Sequence, residues 1–437
     1  MFGVACDAMR RVVGRSPLTM PPDMEPTPDG AATPDGAALV DLRLRRLFAL
    51  AWFVASGFIP FFVLWLNGRG FSPTEIGLVL GASALASIAA APFWSHAADR
   101  SVGTTRALRW ALVSATVSTL ILALTGSVLA AVMAAVALLS ASTSAVTPLT
   151  DALALQLLGP ERLHTYGAYR LWASVGWGVG AIALGALFQW SGLEWMIPVY
   201  AVGLGACAVY VGRFPKTRPT PHETTSRLGS FGDALTHVPR LPLYLLGLLL
   251  FGAAQHAAWD FVPLRIETGG GGPFLVGVAA GVSAFLEIPF MRSSGSLISR
   301  FGTRRLFVAG GAVYVLASVG WSLVSAPAAV TAIRISVGVG FGLVYVSVVV
   351  MTGTLVPERL RNTGQTLAQM CTAALAPIIG SVIGGWVYQH VGPSQLFVGS
   401  AIGLTVAIAI VWVATRGLVP TSAIADVGPV EPDDNAR

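Results

Sequence analysis

The fold is decided by residues 275–291, LVGVAAGVSAFLEIPFM, which lead into the basic loop GSLISRFGTRR at residues 295–305. An apolar stretch of this length predicts a membrane-spanning helix. Its only carboxylate, Glu287, lies roughly 18 Å along that helix from Leu275 at about 1.5 Å per residue. That depth is near the middle of a hydrocarbon core about 30 Å thick. An ionisable group there is costly, which makes Glu287 a functional candidate.

The composition of the whole chain agrees with this stretch. Of its 437 residues, 54% are hydrophobic and only 11% are charged, whereas soluble domains carry about 25% charged residues. The formal net charge of +6 does not indicate nucleic-acid binding, because the basic residues occupy short loops between apolar segments. The three cysteines have no metal-ligand or redox spacing. The sequence therefore predicts a polytopic membrane protein without a metal or cofactor.

Apolar segments recur along the chain often enough for a dozen membrane crossings. The predicted segments are 46–66, 75–95, 106–125, 128–157, 170–190, 195–213, 241–264, 275–293, 305–324, 328–355, 363–390 and 395–415. The connections alternate between basic and nearly uncharged, and 24 of the 27 Lys and Arg residues fall on one side. Cytoplasmic loops carry the excess of basic residues. We therefore expect both termini in the cytoplasm and a location in the cell membrane.

The longest polar connection divides the segments six and six. We predict a disordered cytoplasmic tail at 1–45, a six-helix bundle at 46–213, a cytoplasmic linker at 214–240, a second six-helix bundle at 241–415 and a disordered cytoplasmic tail at 416–437. The linker sequence indicates a short amphipathic helix at 231–238.

Sequence landmarks recur about 200 residues apart, which indicates an internal duplication. The matched pairs are Phe58-Ile59-Pro60 with Phe261-Val262-Pro263, Pro92-Phe93 with Pro289-Phe290, Pro160-Glu161-Arg162-Leu163 with Pro357-Glu358-Arg359-Leu360, and Gly185, Gln189 and Gly192 with Gly385, Gln389 and Gly392. A finer period places a Gly-x3-Gly pair in every third segment, namely Gly77/Gly81, Gly176/Gly180, Gly277/Gly281 and Gly380/Gly384. Such pairs let two helix backbones approach closely, and nested three-helix repeats would produce this period.

With these features the chain resembles the major facilitator superfamily over about residues 46–415. Residues 295–305 are similar to that superfamily's G-x-L-a-D-R-x-G-R-R loop, with Ser299 at the acidic position, and residues 98–106 keep the acid as Asp99. The resemblance implies a fold of twelve helices in two pseudo-symmetric bundles. It also implies that these loops act as a cytoplasmic latch between conformations. The gating residues carried over are Asp99, Arg100, Arg106, Arg300 and Arg304.

Three further stretches resemble the subfamily around the bacterial phenylpropionate permease, a relative of the lactose and nucleoside proton symporters. They are residues 56–77, 165–180 and 364–392. The resemblance implies solute transport, and it says little about which solute is carried.

Glu287 is the leading candidate for carrying a proton. Removal from water disfavours the charged form of a carboxyl group, so such a site can load and release a proton. The alternative is a structural carboxyl bonded to a neighbouring helix. His256 and Asp260, four residues apart and on one helical face, would form a relay or an outer gate, or would simply be charges near the membrane interface.

Arg334 enters the tenth segment close to its outer end. It would neutralise Asp260 or Glu287, or bind a carboxylate of the solute through its planar fork. The alternative is that its side chain reaches back to the membrane surface. Asp151 and Arg170, at facing ends of the fourth and fifth segments, are candidates for an inner gate or for ordinary interfacial charges.

Aromatic residues in the first, fifth and seventh segments are candidates for lining a solute cavity, although core or lipid packing is the alternative for each. The predicted solute contacts are Phe58, Phe61, Trp172, Trp259 and Arg334.

The sequence favours a proton-coupled symporter of a small organic solute, an aromatic acid or a sugar-like molecule, working as a monomer by alternating access. The alternatives are a drug/proton antiporter and a membrane receptor or scaffold that does not transport. We expect no enzymatic activity, because the chain has no metalloprotease, nucleophile-elbow or phosphate-loop motif.

Overall fold

The computed structural model describes residues 34–217 and 227–417, and within these ranges it is helical with no strand. The described chain divides into two compact units. We call residues 34–62 with 86–217 unit 1, and residues 63–85 with 227–417 unit 2. The all-helical fold class predicted from the sequence is confirmed. The predicted tails at 1–33 and 418–437 lie outside the described residues.

The first part of the chain forms eight α-helices. They are α1 (Pro34–Ser56), α2 (Phe62–Gly68), α3 (Pro73–His96), α4 (Thr104–Leu124), α5 (Leu129–Thr143), α6 (Val146–Arg162), α7 (Tyr166–Ser191) and α8 (Met196–Val211), with a π-helix at Ala97–Val102. The helix α1 begins well before the predicted segment start at 46, so residues 34–45 are helical rather than part of a tail.

The second part forms nine α-helices. They are α9 (Arg227–His237), α10 (Leu241–Trp259), α11 (Val262–Thr268), α12 (Pro273–Phe301), α13 (Thr303–Leu323), α14 (Pro327–Leu355), α15 (Arg361–Gln369), α16 (Ala376–His390) and α17 (Pro393–Ala414), with a π-helix at Met370–Leu375. The helix α9 contains most of the short helix predicted in the linker.

Ten helical stretches of the described residues are long and apolar enough to cross a membrane. They are Pro73–Val102, Thr104–Leu124, Leu129–Ser191, Leu193–Val211, Leu241–Thr268, Pro273–Phe301, Thr303–Leu323, Pro327–Leu355, Glu358–His390 and Pro393–Ala414. The stretch Leu129–Ser191 is 63 residues long and holds the predicted fourth and fifth segments. They separate where Gly159 leaves the helical region at φ 64°. The first predicted segment, 46–66, is shared by α1 and α2 and is not among the ten.

Three of the four Gly-x3-Gly pairs lie where two helix backbones pack closely. A Cβ atom at Gly176 of α7 would lie 2.1 Å from the Ala49 carbonyl oxygen of α1, and one at Gly380 of α16 would lie 2.3 Å from the Ala253 carbonyl oxygen of α10. Real side chains do not tolerate such distances, so glycine is what allows these pairs of backbones to touch. The Gly77/Gly81 pair makes the same kind of contact in unit 2, where a Cβ at Gly77 would lie 2.4 Å from the Ser381 carbonyl oxygen.

The two halves of the chain repeat each other in detail at an offset of 200 residues. Gly70 and Gly270 both have positive φ, 86° and 90°, and in both turns this glycine donates a 2.9 Å hydrogen bond three residues back, to the carbonyl oxygen of Asn67 or Glu267. The fully buried ring of Phe61 packs on Phe188, and that of Phe261 packs on Tyr388.

This register corrects the sequence alignment of the first landmark. The structural counterpart of Phe261 is Phe61, whereas the sequence comparison pairs it with Phe58. The aromatic run at residues 58–62 offers several matches by letter alone, and only the packing partner distinguishes them.

Candidate functional site

The Arg334 cluster, which we define as Trp259, Ser283, Glu287, Tyr314 and Arg334, lies within unit 2. Only 7% of Arg334 is exposed, although it belongs to a membrane-spanning helix. Its Nη1 donates a 3.1 Å hydrogen bond to Ser283 Oγ, and its Cζ lies 3.4 Å from the ring centroid of Trp259. Glu287 and Tyr314 both act on the guanidinium electrostatically. The buried guanidinium of Arg334 is thus surrounded by a carboxyl group, an aromatic ring face and a hydroxyl group.

Two glycines of α14 place Arg334 against α12. A Cβ at Gly338 would lie 2.2 Å from the Ser283 carbonyl oxygen, and one at Gly342 would lie 3.2 Å from the Glu287 carbonyl oxygen. Residues 334, 338 and 342 share one face of α14 because they are spaced four apart. The same spacing puts Ser283 and Glu287 on one face of α12, so the close helix contact brings the arginine to the serine and the carboxyl group.

Of the two carboxyl groups predicted as partners of Arg334, Glu287 acts electrostatically on its guanidinium. The alternative that Arg334 reaches the membrane surface does not agree with its burial. Its contact with Trp259, its hydrogen bond to Ser283 and its low exposure keep the guanidinium inside unit 2.

A second polar group, His256–Asp260–Ser381, lies at the end of α10. His256 Nδ1 is 3.5 Å from Asp260 Oδ1, and Ser381 Oγ donates a 2.6 Å hydrogen bond to Asp260 Oδ2. Ser381 follows Gly380, whose missing side chain lets α16 approach His256, with a Cβ at Gly380 only 2.9 Å from the His256 Cβ. The structure therefore brings the predicted His256 and Asp260 together, and it adds Ser381 as the group that fixes the carboxylate.

A third polar group, which we call the Asp151 cluster, lies in unit 1 and comprises Trp52, Asp151, Tyr166 and Arg170. Asp151 is hydrogen-bonded to Tyr166 and interacts electrostatically with Arg170. The Arg170 guanidinium lies 4.7 Å from the ring centroid of Trp52. Among the described residues, the buried Oδ1 of Asp151 accepts no hydrogen bond. The sequence predicts the Asp151–Arg170 pair but misses both aromatic members and the burial of a charge in the first half.

The predicted aromatic contacts fall into two kinds. Phe58 is 8% exposed, with ring centroids of Phe62 and Tyr200 within 4.6 Å, and Phe61 is fully buried. Because protein covers both rings, neither offers a free face to a solute. Trp172 is 40% exposed, and Trp259 carries the Arg334 guanidinium on its ring.

The predicted gating residues of the first loop are all exposed. Asp99 and Arg100 lie on the π-helix Ala97–Val102, and Arg106 lies in the first turn of α4. This loop also contacts the segment that follows α8. Thr105 Oγ1 donates a 2.8 Å hydrogen bond to the Pro215 carbonyl oxygen. The loop thus has an anchoring contact that the family motif does not indicate.

The equivalent loop of unit 2 is also anchored. Arg304 donates hydrogen bonds to the Trp412 carbonyl oxygen at 2.7 Å and to Thr415 Oγ1 at 3.1 Å, and its guanidinium lies 3.9 Å from the Trp412 ring centroid. Arg300 stays exposed, 5.2 Å from the ring of Phe301. Ser299, at the acidic position, bonds within its own helix, to the Ser296 carbonyl oxygen.

Seven residues that make polar contacts in the structure are not among the site residues predicted from the sequence. They are Trp52, Asn67, Tyr166, Glu267, Ser283, Tyr314 and Ser381. Position along the chain, rather than residue type, could have indicated two of them. Ser283 lies four residues before Glu287, and Ser381 directly follows Gly380 of a Gly-x3-Gly pair. No group of three His, Cys, Asp or Glu side chains in the described ranges is arranged to hold a metal ion.

Comparisons with known proteins identify the family. The model of the MFS_1 like family matches residues 42–399. A maltose permease of Geobacillus stearothermophilus is 27% identical over 354 residues, covering 80% of this chain and 88% of the permease. A probable 3-phenylpropionic acid transporter of Escherichia coli is 26% identical over 267 residues, covering 57% of this chain and 66% of that protein.

Solved structures of low sequence identity share the fold. A mutant of the nucleoside transporter NupG superposes with a TM-score of 0.78 at 15% identity, covering 86% of this chain and all of that one. A bacterial homologue of the lysosomal transporter Spinster superposes with a TM-score of 0.65 at 14% identity, covering 87% of this chain and 97% of that one. With the family match extending over most of its length, this chain belongs to the MFS_1 like family of the major facilitator superfamily and is a multi-pass membrane transporter.

Proposed function

We propose that the protein is a proton-coupled symporter that carries a small organic solute across the cell membrane by alternating access. In this proposal the protein is a monomer with both termini in the cytoplasm, and Glu287 exchanges the coupled proton. The observation that supports it best is the Arg334 cluster, in which a carboxyl group and a guanidinium interact inside a membrane-spanning unit.

Of the two charged members of this cluster, only the carboxyl group can change its protonation state. An arginine keeps its proton throughout the ordinary pH range. When Glu287 takes up a proton, Arg334 loses the charge that balances it while it stays out of water. An unbalanced buried charge costs several kcal/mol, so protonation favours a conformation that compensates Arg334 in another way. This linkage ties proton movement to the conformational change.

His256 and Asp260 are proposed as the second proton-handling pair. The carboxylate is held by Ser381 Oγ at 2.6 Å, and the imidazole approaches it at 3.5 Å. Trp259 lies between His256 and Asp260 in the sequence and contacts Arg334. Rearrangement of Trp259 would therefore connect this pair to the Arg334 cluster.

The Asp151 cluster is proposed to bind polar groups of the solute. Within the described part of the chain Asp151 Oδ1 is an acceptor without a hydrogen bond and Arg170 supplies donors, while the Trp52 ring carries the Arg170 guanidinium and stacks on Phe48. A hydroxyl-rich solute has donors and acceptors that fit Asp151 and Arg170. The cluster thus favours a sugar-like solute over an aromatic acid, in line with the maltose permease among the relatives.

The test is solute flux in proteoliposomes that contain the purified protein. Radiolabelled maltose and 3-phenylpropionate serve as probes, with an imposed pH gradient that is acidic outside. A symporter accumulates its solute against a concentration gradient, and a protonophore abolishes the accumulation. Flux that is independent of the pH gradient would contradict proton coupling.

The direction of coupled movement separates the alternatives. An antiporter moves its solute opposite to the proton, so an outward-acidic gradient would deplete the vesicles rather than fill them. A receptor or scaffold would give no flux of any probe. Either outcome would replace the symport proposal.

A further inference from the structure

One hydrogen bond in unit 2 joins two structurally equivalent residues of the repeat. Asn67 Nδ2 donates to Glu267 Oε2 at 2.8 Å. The two residues occupy the same place in the last turns of α2 and α11, since the carbonyl oxygen of each accepts a 2.9 Å hydrogen bond from a glycine three residues later. Both side chains are half-buried.

Asn67 belongs to a segment that is joined covalently to one unit but packs in the other. Residues 63–85 continue at both ends into unit 1, yet they pack within unit 2. The boundary at their carboxyl end falls inside the continuous helix α3. What holds the segment in unit 2 is therefore a set of non-covalent contacts that can be identified one by one.

Those contacts are of two kinds. The first is close backbone packing between α3 and α16, where a Cβ at Gly77 would lie 2.4 Å from the Ser381 carbonyl oxygen and one at Gly385 would lie 2.2 Å from the Pro73 carbonyl oxygen. The second is polar and consists of the Asn67–Glu267 bond and a 3.1 Å bond from the Thr74 backbone N–H to Gln389 Oε1. The interface thus includes close glycine contacts and hydrogen bonds, and both are non-covalent.

Glu267 has other polar neighbours besides Asn67. Arg265 and Tyr388 lie near Glu267, since both it and Arg265 act electrostatically on the Tyr388 hydroxyl, to which Thr268 is hydrogen-bonded. Arg265 itself is engaged, because its Nη2 donates a 3.0 Å hydrogen bond to the Val324 carbonyl oxygen. Hydrogen bonds to a charged group are stronger than neutral ones.

We propose that the Asn67–Glu267 hydrogen bond is a latch that holds residues 63–85 in unit 2 in this conformation and opens once in each transport cycle. The proposal rests on alternating access as the proposed mode of transport, because only that mode requires such contacts to break and re-form. Asn67 and Glu267 are positioning residues here and do not bind the solute.

The test uses the buried side chain of Ile76, which lies in the latched segment and is 0% exposed. Ile76→Cys is placed in a cysteine-free background made with Cys6→Ser, Cys207→Ala and Cys371→Ser. The readout is the rate at which a membrane-impermeant maleimide alkylates the introduced thiol in the absence of any solute. Asn67→Asp puts a carboxylate opposite Glu267, and we expect this alkylation rate to increase at least about tenfold.

Two further variants control this result. Gly68→Asp adds a carboxylate one residue away, at an exposed position with open space around it, and should label at the parental rate. The exchange Asn67→Glu with Glu267→Asn rebuilds the bond with its partners reversed and should restore protection. Parental labelling of Asn67→Asp, or failure of the exchange variant to restore protection in a correctly folded protein, would overturn the latch.

The latch and the proposed function can fail separately. If the alkylation results follow the latch while flux is independent of the pH gradient, the latch stands and proton coupling falls. If flux is proton-coupled while alkylation does not change, the latch falls and the proposed function stands.

Discussion

At the scale of single residues, Arg334 shows how a membrane-spanning unit tolerates a buried cation. A guanidinium combines a planar face with donors in a fixed geometry. In this structure Trp259 covers the face, Ser283 accepts a hydrogen bond and Glu287 supplies negative charge. Each group satisfies a different part of the side chain. The cluster therefore depends on arginine rather than on positive charge alone.

The first prediction follows from that difference. Arg334→Lys keeps the charge, but an ammonium group cannot cover the Trp259 ring and reach Ser283 with the same geometry. We expect proton-driven accumulation to fall by at least about tenfold, the equivalent of one lost charge-assisted contact of about 1.4 kcal/mol. Arg305→Lys, at an exposed position of unit 2, is the matched control and should accumulate solute as the parent does. Full accumulation by Arg334→Lys would show that charge alone suffices.

The second prediction concerns the Asp151 cluster. Asp151→Asn keeps the size of the side chain and removes the charge that faces Arg170. We expect the KM for exchange of the transported sugar to increase about tenfold, with the accumulation ratio at saturating solute unchanged, because the proton site lies elsewhere. Asp233→Asn, exposed on α9, is the control. A lost accumulation ratio at unchanged KM would assign Asp151 to coupling instead of solute binding.

At the scale of helices, the positions of glycine residues decide which helices meet and where. The α12–α14 contact that builds the Arg334 cluster passes through Gly338 and Gly342. The α1–α7 and α10–α16 contacts pass through the Gly-x3-Gly pairs of α7 and α16. The sites therefore form where close helix contacts bring polar side chains of two helices together.

The third prediction tests one such contact. A Cβ at Gly338 would lie 2.2 Å from the Ser283 carbonyl oxygen, so Gly338→Ala must push α12 and α14 apart. Overpacking of this kind costs about 1–3 kcal/mol, and we expect a lower Tm together with loss of proton-driven accumulation. The control is Gly399→Ala in α17, where a Cβ has open space and alanine is the better helix former. Equal melting temperatures for the two variants would contradict the close contact.

The sequence predicts helices and close contacts better than it predicts side-chain surroundings. Length and apolarity are properties of each segment alone. A Gly-x3-Gly pair likewise identifies the contact face of its own helix, whichever helix packs against it. Whether Phe61 meets a solute or Phe188 depends on how the turn at the end of α1 packs against α7, which is a property of two segments. For the same reason Tyr314 and Ser283 are visible as members of the cluster only in the structure.

At the scale of the whole molecule, the two halves share a framework and differ in their charges. The turns at Gly70 and Gly270 and the Phe61 and Phe261 contacts repeat at one offset. At that offset the first half has Ser87 and Ala134 where the second half has Glu287 and Arg334. Neither position of the first half carries a charge, so the Arg334 cluster has no charged counterpart there. We expect proton coupling to depend on unit 2 alone.

The decisive measurement compares Glu287→Gln with the parent protein in the same proteoliposomes, using two assays. Glutamine keeps the size and polarity of the side chain but cannot exchange a proton. We predict that proton-driven accumulation is lost, while exchange of solute at equal concentrations on both sides continues near the parental rate. Glu358→Gln, at an exposed position, should retain both activities. Full accumulation by Glu287→Gln would contradict the central claim that this carboxyl group couples the proton to the solute.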